Sequence, residues 1–128
     1  MMSQKFEIGQ LVTGIYKTGK YIGEITVVKD ANYVMRVLAV INHPTQGDLH
    51  NPNQVDGVFF HERRALAHRE QVNIPNVYVK PFEGELPSYE DSLRTALDKD
   101  FAELEADGSP FALKCIDVLR GLEKDYFK

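Results

Sequence analysis

Residues 33–41 read Tyr33-Val34-Met35-Arg36-Val37-Leu38-Ala39-Val40-Ile41. At a period of two, Tyr33, Met35, Val37, Ala39 and Ile41 share one face of a strand. The opposite face carries Val34, Leu38 and Val40, with Arg36 among them. A long strand that is apolar on both sides must be covered on both sides. A small sheet achieves this by bending back on itself, which predicts a small barrel. Before this strand lie two further β-type runs, Gln10–Tyr16 and Tyr21–Val28. Lys17-Thr18-Gly19-Lys20 is the expected turn between them, with Gly19 free to take a positive φ. Asp30-Ala31-Asn32 is the turn into the long strand.

On the other side, residues 71–82 read Q-V-N-I-P-N-V-Y-V-K-P-F. Pro75 cannot donate to a ladder and suits the first position of a tight turn. The Ile74-Pro75 step followed by Tyr78-Val79 resembles the one-turn 3₁₀ element and last strand of SH3-like barrels. Val77 and Val79 are expected on one face of that closing strand. Peptide-binding SH3 domains use a groove tryptophan and this chain has none, so the shape does not bring polyproline recognition with it.

The last forty residues change character. Gly and Pro thin out after Ser88, and Ser88-Tyr89-Glu90-Asp91 is a helix start, a capping serine followed by carboxylates that suit the helix dipole. Tyr89, Leu93, Leu97, Phe101 and Leu104 then recur at helical spacing. Asp107-Gly108 ends this helix, Ser109 caps a second and Pro110 fits its first turn. Phe111, Cys115, Val118, Leu119, Leu122 and Tyr126 form the second stripe. The stripes need a partner: each other, the barrel, or a second subunit in a homodimer. The fold class expected is α+β. An SH3-like barrel spans 1–84, with a long inserted loop at about 43–60, and a two-helix extension spans 85–128.

At 128 residues the chain is one domain's worth, too short for TIM barrels, most dinucleotide-binding enzymes and full kinases. Fifteen Lys+Arg against nineteen Asp+Glu give a net charge of -4. The excess of carboxylates falls in the helical part, and no basic face for nucleic acid or anionic lipid stands out. Arg63, Arg64 and Arg69 are better read as ion pairs or a protein-contact surface. No apolar run is long enough to span a membrane. The opening residues carry Lys5 and Glu7 with no export-type apolar region behind them. The single cysteine, Cys115, lies far from any lipobox position. A cytoplasmic protein without disulfides or direct membrane insertion is expected.

Apparent chemical motifs dissolve on inspection. Gly14-Ile15-Tyr16-Lys17-Thr18-Gly19-Lys20-Tyr21 fits G-x-x-x-x-G-K, but Tyr21 replaces the Ser/Thr that would hold magnesium, and a β-type run follows where a helix should open. Cys115 falls in a helical stripe and reads as a core residue rather than a nucleophile. All four histidines lie in one stretch, His43, His50, His61 and His68, with Asp48, Asp56, Glu62 and Glu70 among them. Their spacings match no metal signature, so no metal or other cofactor is expected. The stretch His43–Phe60 is longer than a barrel connection needs and rich in turn formers. Long loops on a rigid body tend to be functional or folded onto it.

Several blocks together resemble the kinase-associated protein B family. They are Gly14-Ile15-Tyr16-Lys17-Thr18-Gly19-Lys20-Tyr21-Ile22-Gly23-Glu24, then Val37-Leu38-Ala39-Val40 through His43-Pro44-Thr45-Gln46-Gly47-Asp48-Leu49-His50-Asn51-Pro52. Phe60-His61-Glu62-Arg63-Arg64-Ala65-Leu66-Ala67 and Arg69-Glu70-Gln71-Val72-Asn73-Ile74-Pro75 complete the match. The resemblance implies an SH3-like barrel with appended helices. It also implies an accessory role toward a membrane sensor histidine kinase in the phosphorelay that starts sporulation in endospore-forming bacteria. Some members are named lipoproteins, whereas this sequence shows no N-terminal cysteine. The family brings no catalytic residues, so none are assigned. Loop length, histidine density and the resemblance point to a non-enzymatic regulator. It would contact the kinase or a neighbouring phosphorelay protein through His43, Pro44, Gln46, Asp48, His50, His61, Glu62, Arg63 and Arg64. The competing reading is a small metal-dependent enzyme using His43, Asp48, His50 and His61.

Overall fold

The structure, a computed structural model, describes residues 5–47 and 60–128. Three strands form an antiparallel meander: β1 (Leu11–Tyr16), β2 (Gly19–Val28) and β3 (Asn32–Asn42). Strand β4 (Gln71–Pro75) pairs with the first half of β3, and β5 (Val79–Pro81) pairs with β1. The order is β4-β3-β2-β1-β5. A single 3₁₀ turn at Asn76–Tyr78 joins the two outer strands, so the sheet must curl to bring its edges together. No ladder joins β4 to β5 or β1 among the described residues. The α+β class stands, but the sheet is open and curled rather than a closed barrel.

The curl has a local cause. The β2–β3 register shifts between Lys20 and Tyr21, between Ile22 and Gly23, and between Ile25 and Val27. Each shift leaves an extra residue on one strand, which bends it. Gly14 and Gly23 allow the tight approach inside the curl: a Cβ on Gly14 would fall 2.6 Å from Ile74 Cδ1 and 3.1 Å from Met35 Sδ. Tyr33, Met35 and Val37 are buried on the inner face of β3, as the alternation predicts, but the register shift at Leu38 then turns the strand over, so Val40, opposite Tyr21, joins the core in place of Ala39 and Ile41. Phe6, which the periodicity did not include, closes the floor. Its ring meets Tyr33 edge-on at 5.4 Å and its N–H donates to Tyr33 Oη at 3.1 Å.

Two local expectations change. The positive φ in the β1–β2 hairpin is at Lys17 (54°), not at Gly19. Gly19 is needed for room instead, because a Cβ there would sit 2.8 Å from Cε2 of the buried Tyr21 ring. Val77 and Val79 do not share a face. Val77 belongs to the 3₁₀ turn and is 77% exposed, while Val79 begins β5 and is buried. Tight turns rotate side chains by about a third of a revolution per residue, so the alternation of a strand does not carry through.

Helices α1 (Tyr89–Asp107) and α2 (Pro110–Tyr126) start at the predicted serine caps, and α1 stops at the predicted glycine. Ser88 Oγ accepts from the Asp91 N–H and Ser109 Oγ from the Ala112 N–H, each at 3.1 Å. Gly108 closes α1 at φ 67°. Leu93, Ala96, Leu97 and Phe101 of α1 and Leu119 and Leu122 of α2 join the core cluster of the sheet. β4 covers β3 only as far as Arg36, so the second half of β3 has an open edge. Helix α1 masks it: the Val40 N–H donates to Ser92 Oγ at 2.9 Å, and Ser92 Oγ donates to the Tyr89 carbonyl at 2.8 Å.

Candidate partner-binding site

After β3 the chain runs as a short strap, residues 43–47, alongside the returning segment 60–66. No sheet ladder joins them. Gln46, 3% exposed, supplies the pairing with its side chain. Its Oε1 accepts from the Arg63 N–H at 2.8 Å, and its Nε2 donates to the carbonyls of Arg63 (2.8 Å) and Pro44 (3.0 Å). The amide therefore imitates a strand residue, satisfying backbone groups that burial would otherwise leave costly. Arg63 returns the bond: its guanidinium donates to the Thr45 carbonyl at 2.9 Å and the Gly47 carbonyl at 2.5 Å. The Gly47 N–H donates to the His61 carbonyl (2.9 Å), and the Thr45 N–H donates to Thr18 Oγ1 (2.9 Å). Gly47 has φ 96° and faces Phe60 and Phe111, leaving no space for a side chain.

His43 fixes the other end. It is buried, and its Nδ1 lies 3.0 Å from the Pro44 carbonyl, which can only accept. The proton is therefore on Nδ1, and Nε2 accepts from the Tyr126 hydroxyl at 2.9 Å. That hydroxyl in turn accepts from the Ala65 N–H at 2.8 Å. One tyrosine on the last turn of α2 thus ties both roots of the inserted segment to the helical hairpin. Burial lowers the His43 pKa from 6.5 to about 4, so the ring is neutral at physiological pH. Arg64 lies over the Tyr126 ring at 5.2 Å and pairs with Asp125 at 3.1 Å.

The strap separates two grooves. One, of about 440 Å³, lies against the β1–β2 hairpin, with Tyr16, Lys17, Pro44, Glu62, Arg63 and Arg64 around it. The other, of about 280 Å³, lies between the strap and the helices. Of the residues the sequence singles out, His43, Pro44 and Gln46 are buried and form the strap, and Arg63 is half-buried beside it. His61, Glu62 and Arg64 are at the surface. Asp48 and His50 lie outside the described residues. Among the described residues, no three His, Cys, Asp or Glu side chains come together to hold a metal. Cys115 is buried inside α2, where burial pushes its thiol up to about 11, far from a reactive thiolate. The G-x-x-x-x-G-K stretch is the β1–β2 hairpin. Sequence reasoning placed Tyr126 in an apolar stripe and gave no signal for its hydroxyl; Tyr16 and Tyr21 beside the first groove were likewise read only as strand residues.

The family model described as "Kinase associated protein B" matches residues 16–127. This chain belongs to the kinase-associated protein B family. A relative named "Kinase-associated lipoprotein B", from Bacillus subtilis (strain 168), is 53% identical over 122 residues, covering 95% of each chain. The X-ray crystal structure of kinase-associated protein B from Bacillus cereus superimposes with a TM-score of 0.81 at 48% identity, over 95% of this chain and 98% of that one. The strap and its returning segment fall within the matched residues. No helix among the described residues is long and apolar enough to cross a membrane.

Proposed function

We propose that this chain is a non-enzymatic accessory protein of a sensor histidine kinase in the sporulation phosphorelay, acting by protein–protein contact. The observation that carries this reading is the near full-length similarity to a relative named for its association with a kinase. The structure supports a division of labour within the contact residues. His43, Gln46 and Arg63 hold the strap, while Glu62 and Arg64, with Pro44 and Tyr16, face the larger groove. Exposed charges on a rigid support suit recognition of a partner surface, where Arg and Tyr contribute strongly. On this reading the protein works in the cytoplasm and reaches the membrane through its kinase.

The test is retention of a sensor kinase from sporulating cells by the tagged chain, compared with the Glu62→Ala/Arg64→Ala variant. Both positions are exposed, so circular dichroism should show the variant folded. The wild type is expected to retain the kinase and the variant about tenfold less, the loss of about 1.4 kcal/mol at the contact. If the wild type retains no phosphorelay protein, the reading fails.

A further inference from the structure

The groove between the strap and the helices has an apolar floor and an acidic lip. Leu104, Phe111 and Cys115 line the floor, and Asp100 and Glu103 stand at the edge. Neither carboxylate has a cationic partner within 4 Å among the described residues. The neighbouring Lys99 directs its ammonium to Asn42 Oδ1 at 3.2 Å, and Lys114 lies 5.8 Å from the Phe60 ring. Residues 48–59, which connect the strap to the returning segment, contain no lysine or arginine. A third carboxylate, Asp107, lines the groove from the last turn of α1, which has no basic residue to offset it. Burial first and Glu103 second push the Asp100 carboxyl up to about 6, against a smaller opposing pull from the charge of Lys99. Such a lip forms no ion pair among the described residues, is compensated only in part by Lys99, and is complementary to a cation from outside the chain.

We propose that this groove docks a segment of a partner protein in which a lysine or arginine stands beside an apolar side chain. The apolar side chain enters over Leu104 and Phe111, and the cation meets Asp100 and Glu103. At about 280 Å³ the cavity falls just below the ~300–1,000 Å³ that small-molecule sites occupy, room for a side chain rather than a cofactor. The proposal rests on the reading that this chain acts by protein contact, but uses a different face from Glu62 and Arg64.

The experiment screens the full-length chain against arrayed peptides with a fixed leucine and randomised flanking residues, and measures the best binder by calorimetry. Lys or Arg should be enriched within about one helical turn of the leucine. Asp100→Asn/Glu103→Gln should weaken the selected peptide at least ~10-fold, and Glu62→Ala/Arg64→Ala should leave it unchanged. Amide shifts of the wild-type chain on titration should move at Asp100, Leu104 and Phe111, a readout that needs no variant. Absence of basic enrichment, binding indifferent to the carboxylates, or shifts elsewhere would overturn the proposal. So would a self-association of the chain that the double variant abolishes, since the occupant would then be a second copy. Kinase retention separates the two readings: a selected basic peptide with no kinase retained leaves the groove standing and removes the kinase, and the converse removes only the groove.

Discussion

The helical hairpin and the strap are held in place by different physics. The hairpin is fixed by apolar burial: Leu93, Leu97, Phe101, Leu119 and Leu122 enter one core with the sheet. The strap is fixed by polar side chains that replace a missing ladder: Gln46 and Arg63 across the gap, and His43 and Tyr126 to the helix. Burial is tolerant of small shape changes and non-directional, whereas a buried hydrogen-bonded network fixes one geometry and fails when a single partner is lost. The molecule thus builds its body from the tolerant interaction and its candidate contact surface from the exacting one.

The largest effect is expected in the body. Leu97 is fully buried, and Leu97→Ala should cost about 3 kcal/mol, seen as a lower urea midpoint with an unchanged slope. A loss below about 1 kcal/mol would mean that the hairpin is not part of the core.

Acid should act on the strap first. The unfolded chain takes up the His43 proton near pH 6.5 and the folded chain only near 4. Stability from this group is therefore complete above about pH 6.5 and is lost as the pH falls toward 4, a difference of about 3 kcal/mol. Asp100 opposes it, because a carboxyl raised to about 6 stabilises the fold as it protonates from pH 6 downward. Urea titrations at pH 7 and 4.5 should therefore be compared in an Asp100→Asn background. There, His43→Asn is expected to make the acid-induced loss smaller. An unchanged loss would place His43 in water.

Gln46→Ala removes the side-chain partner of the Arg63 N–H and carbonyl and one of the two donors to the Pro44 carbonyl, which keeps His43 Nδ1–H. About 2 kcal/mol should be lost, with faster hydrogen exchange at the Arg63 amide. Gln46→Glu should be no better than alanine, because a carboxylate cannot donate to the two carbonyls. Tyr126→Phe keeps the ring and deletes the hydroxyl between His43 and Ala65, at a cost of about 1 kcal/mol and with faster exchange at Ala65. At the small end, Asp125→Asn breaks a pair whose side chains are both 52% exposed, and should change stability by less than about 0.5 kcal/mol.

The same contrast explains what could be read from the sequence. The hairpin was legible because its signals are local: helical spacing from Tyr89 to Leu104, serine caps at Ser88 and Ser109, and the glycine stop at Gly108. The meander was legible from alternation in β3 and from the turn residues around it. Sheet closure was overstated, because the alternation of β3 shows that both faces are covered, not which edges pair. The strap was not legible in the same way. Gln46 and Arg63 are separated by seventeen positions and meet through side chain–backbone bonds, which leave no periodic trace. Histidine density drew attention to this stretch, but His43 itself is a buried neutral ring that accepts from the Tyr126 hydroxyl. The acidic lip of Asp100 and Glu103 appeared in the sequence only as an excess of helical carboxylates. Its relation to the strap depends on tertiary packing.

On the proposed reading, strap residues build the contact surface while Glu62 and Arg64 read the partner. One paired measurement tests it: urea stability and kinase retention, both determined for Gln46→Ala and for Glu62→Ala/Arg64→Ala. The expected pattern is reduced stability and an exposed Arg63 amide in the first, and wild-type stability with lost retention in the second. A Gln46→Ala variant as stable as wild type, or a Glu62→Ala/Arg64→Ala variant that retains the kinase fully, would contradict it.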